Sequence, residues 1–267
     1  MMAHLPDSVT VAYNDLAEVP KYRHFVRIPD RIIQCIDYFG ISCDRKIAKA
    51  RLHAYYLFIG VVDEAIDSGR IDAGRVILED LSRPAPAFDE EVMSSPVRLI
   101  TEILKCHIDD NTYPSWMARQ QELYSQVVNE RSATSIESYI EHRESVGSLT
   151  AELSFALIQP NISGDHQRLL RFMREVGAIG CLVDSLIDLN NDRRLGLLGF
   201  EPRTMDYMKL TICTLRAGLR MWLRHPGLGG LFLCAIADNI HDRFRGGRDH
   251  PQHSFAADRN GEATGVA

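Results

Sequence analysis

Asp184, Asp188 and Asp192 stand four residues apart in Val176–Arg194, which reads VGAIGCLVDSLIDLNNDRR. On a helix this spacing gathers three carboxylates into one acidic stripe. Like charges so placed repel, and carboxylates beside an apolar run such as Val176–Val183 are costly unless a cation sits among them. The arrangement recurs in His53–Gly69, HAYYLFIGVVDEAIDSG, where an apolar and aromatic run ends in Asp63 and Asp67, with Glu64 beside the first. Carboxylate oxygens suit hard cations, and Mg²⁺ takes one or two carboxylates together with waters and phosphate oxygens. Two such acidic helices facing each other can clamp a diphosphate through shared metal ions. Either pair alone reads better as a solvated helix face at the end of a buried segment. The recurrence favours a site.

The elements that present these residues read as helices. Ile32, Ile33, Ile36 and Phe39 repeat at three and four before Gly40, predicting a helix from 29. Asp44 is a reasonable N-cap for a second helix that runs through 54 to Asp67 and stops at Ser68-Gly69. Further helices are predicted at 71–81, 96–108, 115–131, 135–158, 166–193, 204–223 and 228–243, with loops where Pro and Gly cluster, as in SRPAPAFD at 82–89. Alternating strand patterns are nearly absent. The prediction is an all-α fold, one helical domain over 29–246, with an irregular N-terminal arm over 1–28 and a disordered polar tail over 247–267.

Composition narrows the function classes. A chain of 267 residues is long enough to bury a sizeable core. Its formal charge of −6 argues against a nucleic-acid partner held by a basic face. Six cysteines lack paired short spacing, so reduced thiols in a cytoplasmic protein are expected. The opening MMAHLPDSVTVAYNDL has no signal-peptide pattern, and no apolar run approaches the roughly 20 residues of a membrane span.

Taken together, the two acidic stretches resemble the paired metal motifs of the class I isoprenoid synthases. Asp63-Glu64-x-x-Asp67 is similar to the first motif, and Asp184, Asp188 and Asp192 occupy the three positions of the second. The terpene cyclases usually carry Asn, Ser or Thr, and Glu there. The resemblance implies a helical bundle with a central active-site cavity, up to three Mg²⁺ ions, and a prenyl diphosphate substrate such as geranyl, farnesyl or geranylgeranyl diphosphate. It leaves the oligomeric state open, with a homodimer, common among such proteins, as one option.

Two branches of the family match different residues. Tyr56-Leu57-Phe58 and the exit Asp192-Arg193-Arg194-Leu195-Gly196 resemble the squalene and phytoene synthases, which condense two prenyl diphosphates head to head. Those enzymes usually carry an Arg where Gly60 stands here. Arg143 and, four residues on, Gly147 resemble the helix of terpene cyclases that senses the diphosphate, with Val146 in place of the linking Asp. Arg243-Phe244 is similar to the Arg-Tyr pair that closes over the diphosphate.

The residues themselves agree in part. Arg143, Gly147, Thr150, Ala151 and Ser154 share one helical face, as do Gly177, Gly180, Cys181 and Asp184. Small residues on facing helices leave a cavity or allow close packing. Arg193 and Arg194 either neutralise a diphosphate or offset the helix C-terminal dipole. The expected activity is therefore that of a terpene cyclase: Asp63, Asp67, Asp184, Asp188 and Asp192 hold Mg²⁺, while Arg143, Arg193, Arg243 and Phe244 contact the diphosphate. Catalytic roles fall to Asp63, Arg143, Gly147 and Asp184. Head-to-head condensation is the alternative within the fold, and a non-enzymatic helical binding protein is the alternative outside it.

Overall fold

The structure is a computed structural model that describes residues 5–67, 73–83, 86–194 and 196–246, with backbone alone at Asp67, Ala73 and 239–246. The described residues form eleven α-helices: α1 (Asp7–Glu18), α2 (Arg23–Tyr38), α3 (Arg45–Asp67), α4 (Ala73–Ser82), α5 (Glu90–Ser94), α6 (Pro96–Lys105), α7 (Tyr113–Arg131), α8 (Ile136–Ile158), α9 (His166–Arg194), α10 (Thr204–Arg224) and α11 (Gly229–Gly246). Two short strands, β1 (Ser42–Cys43) and β2 (Ile162–Ser163), pair antiparallel, tying the start of α3 to that of α9. The chain is all-α, as its periodicity requires. The tail expected over 247–267 lies outside the described residues.

Local chemistry sets most boundaries. The Asp44 carboxylate accepts from the Ile47 N–H at 3.2 Å, and Asp165 does the same for Arg168 at 3.3 Å, capping α3 and α9. Ser135 caps α8 by accepting from the Ser138 N–H. Gly196, at φ +68°, ends α9 in the left-handed turn that glycine adopts without strain, and the Leu197 N–H closes onto the Asp192 carbonyl at 2.9 Å.

The segment expected to be irregular, 1–28, is mostly helical in its described part, with Leu5, Pro6 and Val19 outside any helix. α1, a 3-10 turn at Pro20–Tyr22 and the first turns of α2 occupy it. α2 begins six residues ahead of Pro29, although proline cannot donate to the Phe25 carbonyl. Burial of Ile32, Ile33 and Ile36 on one side of the same helix outweighs that lost bond. Val9 of α1 is buried in the main core, and the Tyr13 hydroxyl meets His53 Nδ1 at 2.5 Å.

α8 and α9 form the central pair. A Cβ on Gly147 would fall 2.1 Å from the Gly177 carbonyl oxygen, and one on Gly177 would fall 2.2 Å from that of Gly147. Their backbones touch, so both positions exclude any larger residue. α3 and α7 pack against α8, and α10 covers α9. One apolar core runs from Val9 to Leu228; a smaller one, around Ile136, Tyr139, Leu182, Leu189 and Leu210, supports the acidic end of α9.

Candidate active site

α3 keeps one face in the core through Val61 and Ala65 while its acidic face turns outward. Leu52, Tyr55, Leu57 and Phe58 are buried, whereas Asp63 is exposed. α9 divides lengthwise: Leu182, Ser185 and Leu189 face inward, and Asp184, Asp188 and Asp192 lie partly open on another face. A hollow with two lobes lies between the helices. The acidic lobe, about 190 Å³, is lined by Asp63, Asp184, Asp188 and Asp192 together with α4 and α7. The apolar lobe, about 330 Å³, is lined by α2, α3, α8, α9 and α11. Ile59, Asp63, Arg143, Val146, Thr150 and Asp184 line both lobes. Carboxylates 121 positions apart in the chain (63 and 184) thus come to one junction.

Arg143 is the cation at that junction. Its Nε donates to Ser185 Oγ at 2.9 Å, Nη2 to the Cys181 carbonyl at 3.2 Å, and Nη1 to the Glu130 carboxylate at 3.3 Å. Burial is the largest single influence and works against its charge, but Glu130, Cys181, Tyr139 and Asp184 together outweigh it and hold the guanidinium protonated. Ser185 is itself held by the Cys181 carbonyl and by the Tyr139 hydroxyl, so the fork is fixed in place. Glu130 and Ser185 had no signal in the sequence, because their importance comes only from contact with Arg143.

The apolar lobe is walled mainly by carbon, with His24, Arg27 and the Arg31–Asp238 ion pair where α2 meets α11. Phe25, Phe172 and Phe232 line it with Tyr56, whose hydroxyl donates to Ser154 at 3.3 Å and is pushed up to about 12 by burial. Burial likewise raises the Cys181 thiol to about 12, with Arg143 opposing, so it stays a neutral wall. Gly180 also lines this lobe, and a Cβ there would meet nothing within 4 Å. The small-residue faces therefore serve both ends: Gly147 and Gly177 permit contact, and Gly180 leaves space. Of the aromatic lead-in, Tyr55 packs against Trp116 in the core with its hydroxyl on the Thr150 carbonyl at 3.1 Å, and Phe58 borders the acidic lobe.

Other expected site residues fall elsewhere. Arg193 is exposed, pairs with Glu201 at 3.2 Å and lines neither lobe. Glu64 turns away from Asp63 to bond Lys21 and Tyr22. Asp67 ends α3, and Arg243 and Phe244 lie in α11, but their side chains are outside the described residues. Arg194 is exposed. Gly60 packs against Phe25, whose ring would lie 2.5 Å from an added Cβ, so no Arg fits there while Phe25 holds its place. His142 bonds Gln126 at 2.9 Å and lines neither lobe.

Among the described residues, no group of three or more His, Cys, Asp or Glu side chains stands close enough together to hold a metal ion. The carboxylates instead form a row in an open lobe. That donor set fits Mg²⁺, which completes its octahedron with water and substrate phosphate rather than with an all-protein cage. Compared with protein-family models, curated proteins and solved structures, the chain gives no match.

Proposed function

We propose that the chain is a Mg²⁺-dependent class I terpene synthase that ionises an allylic prenyl diphosphate and cyclises the resulting cation. One observation carries this reading: an aromatic-lined apolar lobe opens directly onto a carboxylate row at a partly buried, charged arginine. The diphosphate sits in the acidic lobe and the prenyl chain in the apolar one. Asp63, Asp184, Asp188 and Asp192, with Asp67, would hold Mg²⁺, which supplies positive charge to the leaving diphosphate.

The chain's own residues account for the rest. Arg143 offers charge-assisted hydrogen bonds to diphosphate oxygens, and Glu130 and Ser185 keep its fork oriented. When the C–O bond breaks, its electron pair leaves with the diphosphate and an allylic cation remains. The reading requires the bound prenyl chain to displace water from this lobe, where the rings of Phe25, Tyr56, Phe172 and Phe232 can favour positive charge. Attack by a distal double bond closes the ring, and loss of a proton restores neutrality.

Lobe size favours cyclisation over head-to-head condensation. About 330 Å³ is at the low end for a single small-molecule site and leaves little space for a second prenyl chain. Incubation with geranyl, farnesyl and geranylgeranyl diphosphates plus Mg²⁺ tests the reading by mass spectrometry. Products with one substrate's carbon count support it, and a doubled count assigns condensation instead. No diphosphate release from any of the three overturns both and leaves a non-catalytic helical protein.

A further inference from the structure

α10 is apolar on two faces. Its inner face buries Leu210, Thr214 and Met221. Its outer face carries Met205, Met208, Ile212, Leu215, Leu219 and Trp222, all exposed. Their spacing alternates three and four, so the six side chains form one stripe over the whole helix. Leu215 is 67% exposed and Leu223, at the edge of the stripe, 73%. A continuous apolar strip of this length marks a docking surface.

The edge of the stripe identifies the partner. Lys209, Arg216, Arg220 and Arg224 run along one side at helical spacing, against one carboxylate on the helix, Asp206, in a chain whose formal charge is −6. Lys209 pairs with Glu137 and Arg224 with Glu175, each at 2.5 Å. Arg216 and Arg220 are exposed and make no ion pair among the described residues. Antiparallel pairing of α10 with a second copy would bring the same cation-bearing edge of both helices together, with one carboxylate each, Asp206, to offset it. An anionic lipid surface instead matches both features: acyl chains take the stripe, phosphates take the cations, and Trp222 suits the interfacial layer.

We propose that α10 lies in the headgroup layer of an anionic membrane, its stripe inserted and its arginine edge on the phosphates. No described helix is long and apolar enough to cross a bilayer, so the contact is peripheral. The proposal rests on α10 alone and stands or falls separately from the catalytic reading.

The full chain is sedimented with vesicles of phosphatidylcholine alone and of equimolar phosphatidylglycerol and phosphatidylcholine, while tryptophan emission is recorded. The chain has two tryptophans; Trp116 is buried and Trp222 exposed, so a blue shift reports Trp222. Binding and a blue shift with the anionic vesicles only, weakened by salt, are expected. Leu215→Glu with Leu219→Glu should abolish binding, and Arg216→Glu with Arg220→Glu should weaken it roughly tenfold or more. All four positions are exposed, and unchanged circular dichroism and melting confirm that the variants fold. Failure of wild type to bind either vesicle overturns the proposal. So does a lipid-free dimer that Leu215→Glu disperses, which would assign the stripe to a second copy.

Discussion

Arg143 and Glu130 form the electrostatic hinge of the site, and replacing either separates a structural from a chemical consequence. Arg143→Ala leaves the Glu130 carboxylate, only 14% exposed, without its cation. Thermal or urea unfolding should show a loss of about 2–4 kcal/mol, and diphosphate release should fall at least roughly 100-fold. Arg143→Lys restores the charge but not the fork that reaches Ser185 and Cys181, so it should recover stability more than rate. Gly180 gives the opposite separation. A Cβ at Gly180 meets nothing within 4 Å and points a leucine into the open lobe, and Gly180→Leu removes a helix-interior glycine worth about 1 kcal/mol, so melting should hold or rise. The same leucine fills the apolar lobe, and kcat/KM for the longest prenyl diphosphate accepted should drop about tenfold or more relative to the shortest.

Among the elements, the α8–α9 contact decides whether the two walls of the hollow keep their spacing. Gly177→Ala places a methyl group against the Gly147 carbonyl and should cost about 2–4 kcal/mol in urea denaturation, with activity falling alongside stability. α9 itself was legible from the sequence, because a four-residue acidic repeat follows a long apolar period. The start of α2 was not: Pro29 reads as a helix beginning, and only the burial of Ile32, Ile33 and Ile36 against the core carries the helix through it. α1 was missed for a related reason. Its buried positions are few, and its place is held by contacts such as Tyr13 with His53, 40 residues away.

Charge and metal linkage act on the whole molecule. Burial, and then the charges of Arg51 and His53, lowers His107 to about 4. Between the ordinary histidine value of 6.5 and about 4, the unfolded chain therefore binds a proton that the folded chain refuses. His107 thus contributes stability that is fully present above that window and lost as pH falls through it. Urea midpoints measured from about pH 7 to about pH 5 should decline, and His107→Gln should flatten the decline. If the acidic lobe takes metal and diphosphate together, Mg²⁺ with inorganic diphosphate at 100 times Kd should stabilise the fold by about 2.7 kcal/mol. EDTA or Asp184→Asn should remove that gain in a thermal melt.

Periodicity and composition determined the all-α class, most helix positions and the two carboxylate rows, because these depend on neighbours three and four residues apart. The tertiary structure decided which carboxylates share a hollow, since Asp63 and Asp184 meet only after α3 and α9 pack around α8. It also decided that Arg193 turns to Glu201 at the surface while Arg143, partly buried, pairs with Glu130. Helical spacing says where a side chain stands on its own cylinder. What it meets there depends on another cylinder, whose approach is set by residues as distant as Gly147 and Gly177.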